Sequence, residues 1–211
     1  MFELTKEERD SLTPAKAVEI LKKGNARFVS NLKANRNLLN QVNQTSDGQH
    51  PFAIVFSCID SRTSAELIFD QGLGDIFSCR IAGNVISEDI LGSMEFACKV
   101  AGAKLVVVLG HTGCGAIKGA CDGVKMGNLT GLVDKILPAV KAEKTIIEDR
   151  NSNNPHFVNR VAAINVTLVM RQILKRSNIL SDMVKNDEIA LVGGMYDVAN
   201  GLVNFEENIT V

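Results

Sequence analysis

Two short apolar runs constrain the fold of this chain most strongly. "FAIVFS" occupies 52–57 and "KLVVVLG" occupies 104–110; Pro51 precedes the first and Gly110 closes the second. An apolar run of this length without polar alternation is typical of a strand buried on both faces, as in a parallel sheet covered by helices. The sequence therefore predicts an α/β protein with these two strands at its centre.

Strand and helix patterns alternate along the middle of the chain. Pro14 and Ser87 are typical helix-start residues, and apolar side chains follow each with helical spacing. The predicted helices span 14–29, 64–72, 87–101, 129–148 and 156–176; further strands are predicted at 75–83 and as a pair within 188–206, and 31–50 is predicted to be an extended connection. This order indicates an α/β fold: a mainly parallel central β-sheet flanked by helices, with an N-terminal helical arm and a C-terminal strand pair.

Domain organisation follows from length and from the absence of breaks in the sequence. The chain has 211 residues, and no repeat, low-complexity tract or linker divides it. That length suits one domain with a substantial core. We expect a single domain in which 1–50 forms the N-terminal helical arm and the extended connection and 51–211 forms the α/β core.

Charge and hydropathy exclude several classes of partner. The net charge is −1 and no basic block is present, so neither nucleic acid nor a membrane surface is an expected partner. No run of about 18 apolar residues is present, and the N-terminus is charged from Glu3 onward. Five cysteines are an odd number, which favours a reducing compartment and functional thiols over a disulfide framework. We expect a cytoplasmic protein; the alternative of an organellar presequence removed before residue 1 stays open.

Both central runs end in polar side chains with metal-binding chemistry. "SCIDSR" ends the first run and "GHTGCG" ends the second. Because α/β sheets bind ligands at the carboxyl ends of their strands, we expect Cys58, His111 and Cys114 to converge. Two thiolates and an imidazole are good ligands for Zn²⁺, and three protein ligands leave the fourth position open for water, as in catalytic zinc sites. A nucleotide loop is not favoured, because the Gly-Lys-Ser/Thr of a Walker A motif and the spacing G-x-G-x-x-G are both missing.

The other cysteines and histidines lack such a context. None of them stands in a paired motif or directly after a predicted central strand. We interpret them as structural or exposed residues: Cys79 in a strand, Cys98 and Cys121 in helices, His50 in a loop and His156 at a helix start.

Asp60 and Arg62 form a second pair in the first motif. In an extended segment, residues two apart project to the same side, so the Arg62 guanidinium can hold the Asp60 carboxylate with two hydrogen bonds. One interpretation is a salt bridge that fixes a loop. The other is catalytic: beside an open metal site, Asp60 can accept a hydrogen bond from metal-bound water and orient it.

Taken together, the two motifs resemble those of a known family. Cys58-x-Asp60-Ser61-Arg62 followed by His111-x-x-Cys114 resembles the zinc-site signature of the β-class carbonic anhydrases. The resemblance extends over nearly the whole chain, through "LKKGNARFV", "GQHPFAIVFSCIDSR", "VVVLGHTGCGAIKGA" and "YDVANGLVNF". It implies Zn²⁺ on the two cysteines and the histidine, within a zinc-binding core at 51–211. It also implies reversible hydration of CO₂ to bicarbonate and a proton through zinc-bound hydroxide.

The resemblance carries further expectations about the site and the assembly. It implies a substrate pocket lined by Gln49, Phe77 and Phe96, and Asp60 as a fourth zinc ligand in a closed state known from one branch of the family. It also implies a homodimer or homotetramer, in which an N-terminal helix like 14–29 reaches over the neighbouring subunit.

Two other functions are compatible with the same residues. One is a hydrolase on the same scaffold that acts on carbonyl sulfide or carbon disulfide, linear molecules open to the same attack. The other is a non-catalytic zinc protein in which Asp60 permanently closes the metal and the fold serves assembly or bicarbonate sensing.

The charge of the ligand set predicts a pH dependence. Two thiolates and a neutral histidine cancel the +2 charge of zinc, so the bound water should be less acidic than the pKa of about 7 reached with three histidines. We expect kcat/KM for CO₂ hydration to rise on the alkaline side of about pH 7, measured by stopped flow. A flat profile between about pH 6 and about pH 9 would contradict this expectation.

Overall fold

The computed structural model describes residues 6–206, whose strands form one five-stranded sheet with the order β2-β1-β3-β4-β5. β1 pairs with β2 and β3, and β3 pairs with β4, all in parallel, whereas β5 runs antiparallel to β4. The strands are β1 (Ala53–Ser57), β2 (Ile76–Arg80), β3 (Leu105–His111), β4 (Ala190–Tyr196) and β5 (Val203–Glu206). The predicted mainly parallel sheet and C-terminal strand pair are confirmed.

Helices cover both faces of the sheet. They are α1 (Lys6–Asp10), α2 (Pro14–Val29), α3 (Leu38–Gln44), α4 (Ala65–Ile68), α5 (Glu88–Glu95), α6 (Gly115–Cys121), α7 (Gly127–Asp134), α8 (Leu137–Ala142), α9 (Pro155–Arg176) and α10 (Asn178–Lys185). A 3₁₀ turn occupies Ala82–Asn84, and a π-helical turn at Phe96–Val100 continues α5. Among the residues that the structure describes, no helix has the length and apolar character that a membrane crossing requires.

The two central strands are buried along their whole length, as the continuous apolar runs predict. Their side chains alternate between the two faces of the sheet. On one face, Ile54, Phe56, Val106 and Val108 pack in a cluster with residues of α5 and α9. On the other face, Ala53, Val55, Leu105 and Val107 pack in a cluster with residues of α2 and α4.

Helix α2 forms at the predicted position and covers one face of the sheet. The side chain of Thr13 caps it by accepting a hydrogen bond from the backbone N–H of Lys16. Ala17 and Leu21 are fully buried in the core. Asn25 donates from Nδ2 to the backbone oxygens of Ile68 and Gly201. The inner face of this helix therefore packs on the sheet of its own chain.

The structure differs from the prediction at 129–148 and at 31–50. The predicted helix 129–148 is two helices, α7 and α8, because Pro138 has no backbone N–H with which to continue the hydrogen bonds of α7 and suits the first turn of a new helix. The region 31–50 was expected to be extended, but it contains α3. Asn37 caps α3 by accepting from the Asn40 N–H, and Gln41 accepts from the Leu73 N–H.

Candidate metal centre

Cys58, His111 and Cys114 meet at the carboxyl edge of the sheet. Cys58 follows β1 directly and His111 is the last residue of β3, and these two strands are parallel neighbours. One ligand atom from each of the three residues lies within 4.8 Å of the others, and all three side chains are buried. The predicted convergence of these residues is thus observed.

The geometry of the three ligand atoms suits a tetrahedral metal. Sγ of Cys58 lies 3.9 Å from Sγ of Cys114. Two zinc–sulfur bonds of about 2.3 Å at a tetrahedral angle place their sulfurs about 3.8 Å apart. The donor set of two sulfurs and one imidazole nitrogen is one that zinc favours.

The tautomer of His111 leaves one ring nitrogen available. Its Nδ1 lies 3.0 Å from the backbone oxygen of Thr112. Because a carbonyl oxygen only accepts, Nδ1 carries the proton and Nε2 of the neutral ring keeps its lone pair. Nε2 is buried and has no hydrogen-bond partner within residues 6–206. A buried nitrogen without a partner is unfavourable unless it binds a metal or another ligand.

The two thiols of Cys58 and Cys114 share a hydrogen bond. The pKa of Cys58 is lowered, mainly because the Cys114 thiol donates to its sulfur, and also because the Gly83 N–H donates to the same sulfur at 3.4 Å. The pKa of Cys114 is raised, because it is the donor to the Cys58 thiolate and because it is buried. The pair therefore readily carries negative charge, which favours binding of a cation.

Asp60 is held by Arg62 at the edge of this cluster. Nε and Nη2 of Arg62 donate to the two carboxylate oxygens at 2.9 and 2.8 Å, and the Arg62 backbone N–H donates at 3.0 Å. These bonds hold the pKa of Asp60 well below its usual range, so the ion pair is present above about pH 4 and is lost only as the pH falls toward the lowered pKa. Oδ2 of Asp60 lies 4.0 Å from Nε2 of His111. The expected bidentate pair is present, beside the cluster.

Two residues whose bonds to the site were not predicted from the sequence, Arg80 and Asn84, hold the loop that follows β1. Arg80 donates from Nε to the backbone oxygen of Cys58 at 2.9 Å and from Nη2 to that of Asp60 at 2.6 Å. Asn84 donates from Nδ2 to the backbone oxygens of Phe56 and Leu109, which ties the ends of β1 and β3 together. Both residues belong to "RIAGN": Arg80 ends β2 and Asn84 ends the 3₁₀ turn that follows, so polar residues at and after a strand end were the available signal.

The second loop is held by the end of β4, which the sequence reasoning also missed. His111 pairs with Tyr196 in the register of β3 and β4, and the Thr112 N–H donates to the Tyr196 backbone oxygen. Oγ1 of Thr112 donates to Asp197 and accepts from the backbone N–H of Val198. Tyr196 is buried, and burial raises the pKa of its phenol. The segment "YDV" therefore fixes the backbone beside His111.

Two of the three expected pocket residues, Phe77 and Phe96, lie in a groove separate from the metal cluster. The rings of Phe77 and Phe96 form an edge-to-face pair with centroids 6.2 Å apart. They line a groove of about 530 Å³ between β2 and α5, together with Ser78, Cys79, Asp89 and Ser93; none of the three cluster residues lines it. Gln49 is exposed on the segment before β1. The structure thus joins the two aromatic rings to each other and to a separate groove.

Comparison with known proteins supports the resemblance. A model of the family described as carbonic anhydrase matches residues 53–203. Carbonic anhydrase 2 of Mycobacterium tuberculosis is 35% identical over 202 residues, which is 93% of this chain and 94% of the relative. This chain belongs to the β-class carbonic anhydrase family.

Other members and solved structures agree with this assignment. The carbonic anhydrase of Mycolicibacterium smegmatis is 36% identical over 93% of this chain and 95% of its own length. The solved structure of the β-carbonic anhydrase CcaA superposes with a TM-score of 0.70 at 23% identity, over 90% of this chain and 86% of that chain. A structure from a study of two tetrameric β-carbonic anhydrases of Sordaria macrospora gives a TM-score of 0.69 at 22% identity, over 80% and 88%. At these identities the solved structures support the fold alone.

The buried cysteines of this carbonic anhydrase family member allow a matched test of the metal centre. Cys58→Ala should lose the metal, because it removes one of three converging ligand atoms. Cys98→Ala should retain it, since Cys98 is equally buried but lies in the apolar cluster around α5. Zinc content of each purified variant, measured by atomic emission, distinguishes the two. Equal zinc in Cys58→Ala and in the wild-type protein would contradict the assignment.

Proposed function

We propose that this chain catalyses the reversible hydration of CO₂ to bicarbonate and a proton, with Zn²⁺ held by Cys58, His111 and Cys114. The observation that carries the proposal is the buried Nε2 of His111, which has no partner in the part of the chain described and faces two converging sulfurs. Membership of the carbonic anhydrase family supports the same reaction.

The protein ligands prepare the site for a cation. When bound, zinc would supply Lewis-acid chemistry that lowers the pKa of a water molecule, although less than a site with three histidine ligands does. The backbone oxygen of Thr112 keeps His111 in the tautomer whose Nε2 is free. The hydrogen-bonded thiols of Cys58 and Cys114 supply the negative charge, and their apolar surroundings exclude bulk water.

Asp60 is proposed to orient the attacking water. Its carboxylate only accepts hydrogen bonds while it is ionised, and Arg62 keeps it ionised and fixes its plane. One of its oxygens lies 4.0 Å from Nε2 of His111, near enough to the cluster to accept a hydrogen bond from a water molecule there. Direct binding of Asp60 to the metal in a closed state would require its carboxylate to leave Arg62, so the observed pairing supports the open state.

The substrate pocket and the assembly are also proposals. Because Phe77 and Phe96 line a groove separate from the metal centre of their own chain, we propose that the substrate pocket they form with Gln49 is completed between the subunits of a homodimer or homotetramer. Phe96 is half-exposed and lies beside β2, a strand at an edge of the sheet. An exposed aromatic residue at an open sheet edge is typical of a surface that a second copy covers. The five cysteines are free, which supports a reducing compartment such as the cytoplasm.

Substitution of Asp60 tests the proposed reaction. Asp60→Asn keeps the shape of the side chain and removes its charge, so CO₂ hydration should fall by about 10²-fold or more while zinc content is unchanged. Asp134→Asn is the control, because Asp134 forms an exposed ion pair with Lys125.

Stopped-flow assays on CO₂, carbonyl sulfide and carbon disulfide should show CO₂ as the preferred substrate. Wild-type rates in Asp60→Asn, or faster turnover of either sulfur compound, would contradict the proposal.

A further inference from the structure

A buried amide interrupts the apolar face of α9. Asn165 is 5% exposed and is flanked on that face by Val161, Ala162, Val166 and Val169. An amide in such surroundings is unfavourable unless it is hydrogen-bonded. Nδ2 of Asn165 donates to the backbone oxygen of Gly83 at 2.9 Å, in a fully buried contact. The amide therefore connects α9 to the turn at Ala82–Asn84.

Gly83 passes this connection on to the metal centre. Its N–H donates to Sγ of Cys58 at 3.4 Å. Its φ is +66°, and a Cβ atom at this position would lie 2.6 Å from Cδ1 of Ile136 and 3.1 Å from Cβ of Ala116. Only glycine fits here without displacing these neighbours. Gly83 has no side chain that could hold it in place. The Asn165 amide instead holds Gly83 by donating to its backbone oxygen, and so keeps the Gly83 N–H directed at the sulfur of Cys58.

A second asparagine of α9 holds the other ligand loop. Oδ1 of Asn159 accepts the backbone N–H of Gly113 at 3.0 Å. Gly113 lies between His111 and Cys114, so this bond fixes the short segment that carries both ligands. Asn159 is partly exposed, in contrast to Asn165.

We propose that Asn165 and Asn159 are positioning residues of the metal centre. Through them, α9 holds the turn whose Gly83 donates to Cys58 and the segment that carries His111 and Cys114. The proposal rests on the proposed metal site. An N–H donated to a thiolate withdraws charge from its sulfur, and fixed loops keep the three ligand atoms at binding distance. Partners of this kind typically change metal affinity by about 10–100-fold when they are removed.

Chelator competition on the zinc-loaded protein tests the support by Asn165. Asn165→Leu replaces the amide with an apolar side chain of similar size, so the core stays filled while the bond to Gly83 is lost. We expect zinc to transfer to a chromogenic chelator about tenfold faster or more. The matched control is Val169→Ala, one turn further along α9, which weakens the packing of the same helix without touching either loop.

Cobalt substitution gives a readout that loss of packing does not change. In the Co²⁺-loaded protein, the sulfur-to-cobalt charge-transfer band reports the electron density on the thiolates. Loss of the oriented Gly83 N–H should move this band to longer wavelength in Asn165→Leu and leave it unchanged in Val169→Ala. Asn159→Ala, a substitution at a partly exposed position, tests the second loop while the core stays intact, and it should also accelerate zinc transfer.

The outcomes separate this inference from the proposed function. If the wild-type protein retains no zinc, the proposed function is wrong and this inference fails with it. If the wild-type protein retains zinc, then wild-type transfer rates in both asparagine variants, or equal acceleration in Val169→Ala, overturn this inference alone.

Discussion

The parallel pairing of β1 with β3 brings together residues that are far apart in the sequence. Both strands end at the same edge of the sheet: β1 ends one residue before Cys58, and β3 ends at His111. Parallel pairing is stable only when both faces of the strands are covered, which the apolar runs and the helices on each face provide. The candidate metal centre therefore depends on the core of the fold, because a shift of register between these strands would separate its ligands.

Polar residues at the carboxyl edge of the sheet support the metal centre. Asn84 joins the ends of the two central strands, and Arg80 holds the backbone of the first ligand loop. Thr112 and Asp197 hold the second loop. Each of these groups is hydrogen-bonded, and the buried amide of Asn84 must be if it is not to destabilise the fold. They fix the loops before a metal binds, so that less ordering is needed on binding.

The sequence was informative where a pattern is local. The runs at 52–57 and 104–110 predicted the two central strands, and the side chains after them predicted the cluster of Cys58, His111 and Cys114 at one edge. The pairing of Asp60 with Arg62 followed from their spacing in the same way. Each of these inferences needed only periodicity, residue chemistry and the rule that parallel strands end together.

The features that the sequence did not reveal depend on tertiary contacts. Helix α3 is short, and its contact with the loop before β2 through Gln41 has no local signal. Asn165 looks like an ordinary interruption of an apolar helix face until its bond to Gly83 is seen. The groove that contains Phe77 and Phe96 forms only when β2 and α5 are placed side by side.

The central claim is that a metal held by the three converging residues is required for CO₂ hydration. The most direct measurement is stopped-flow CO₂ hydration by the same sample as purified, after removal of its metal, and after reloading with zinc. We expect activity to disappear with the metal and to return in proportion to zinc bound, up to about one ion per chain. Full hydration activity in the metal-free protein would contradict the account.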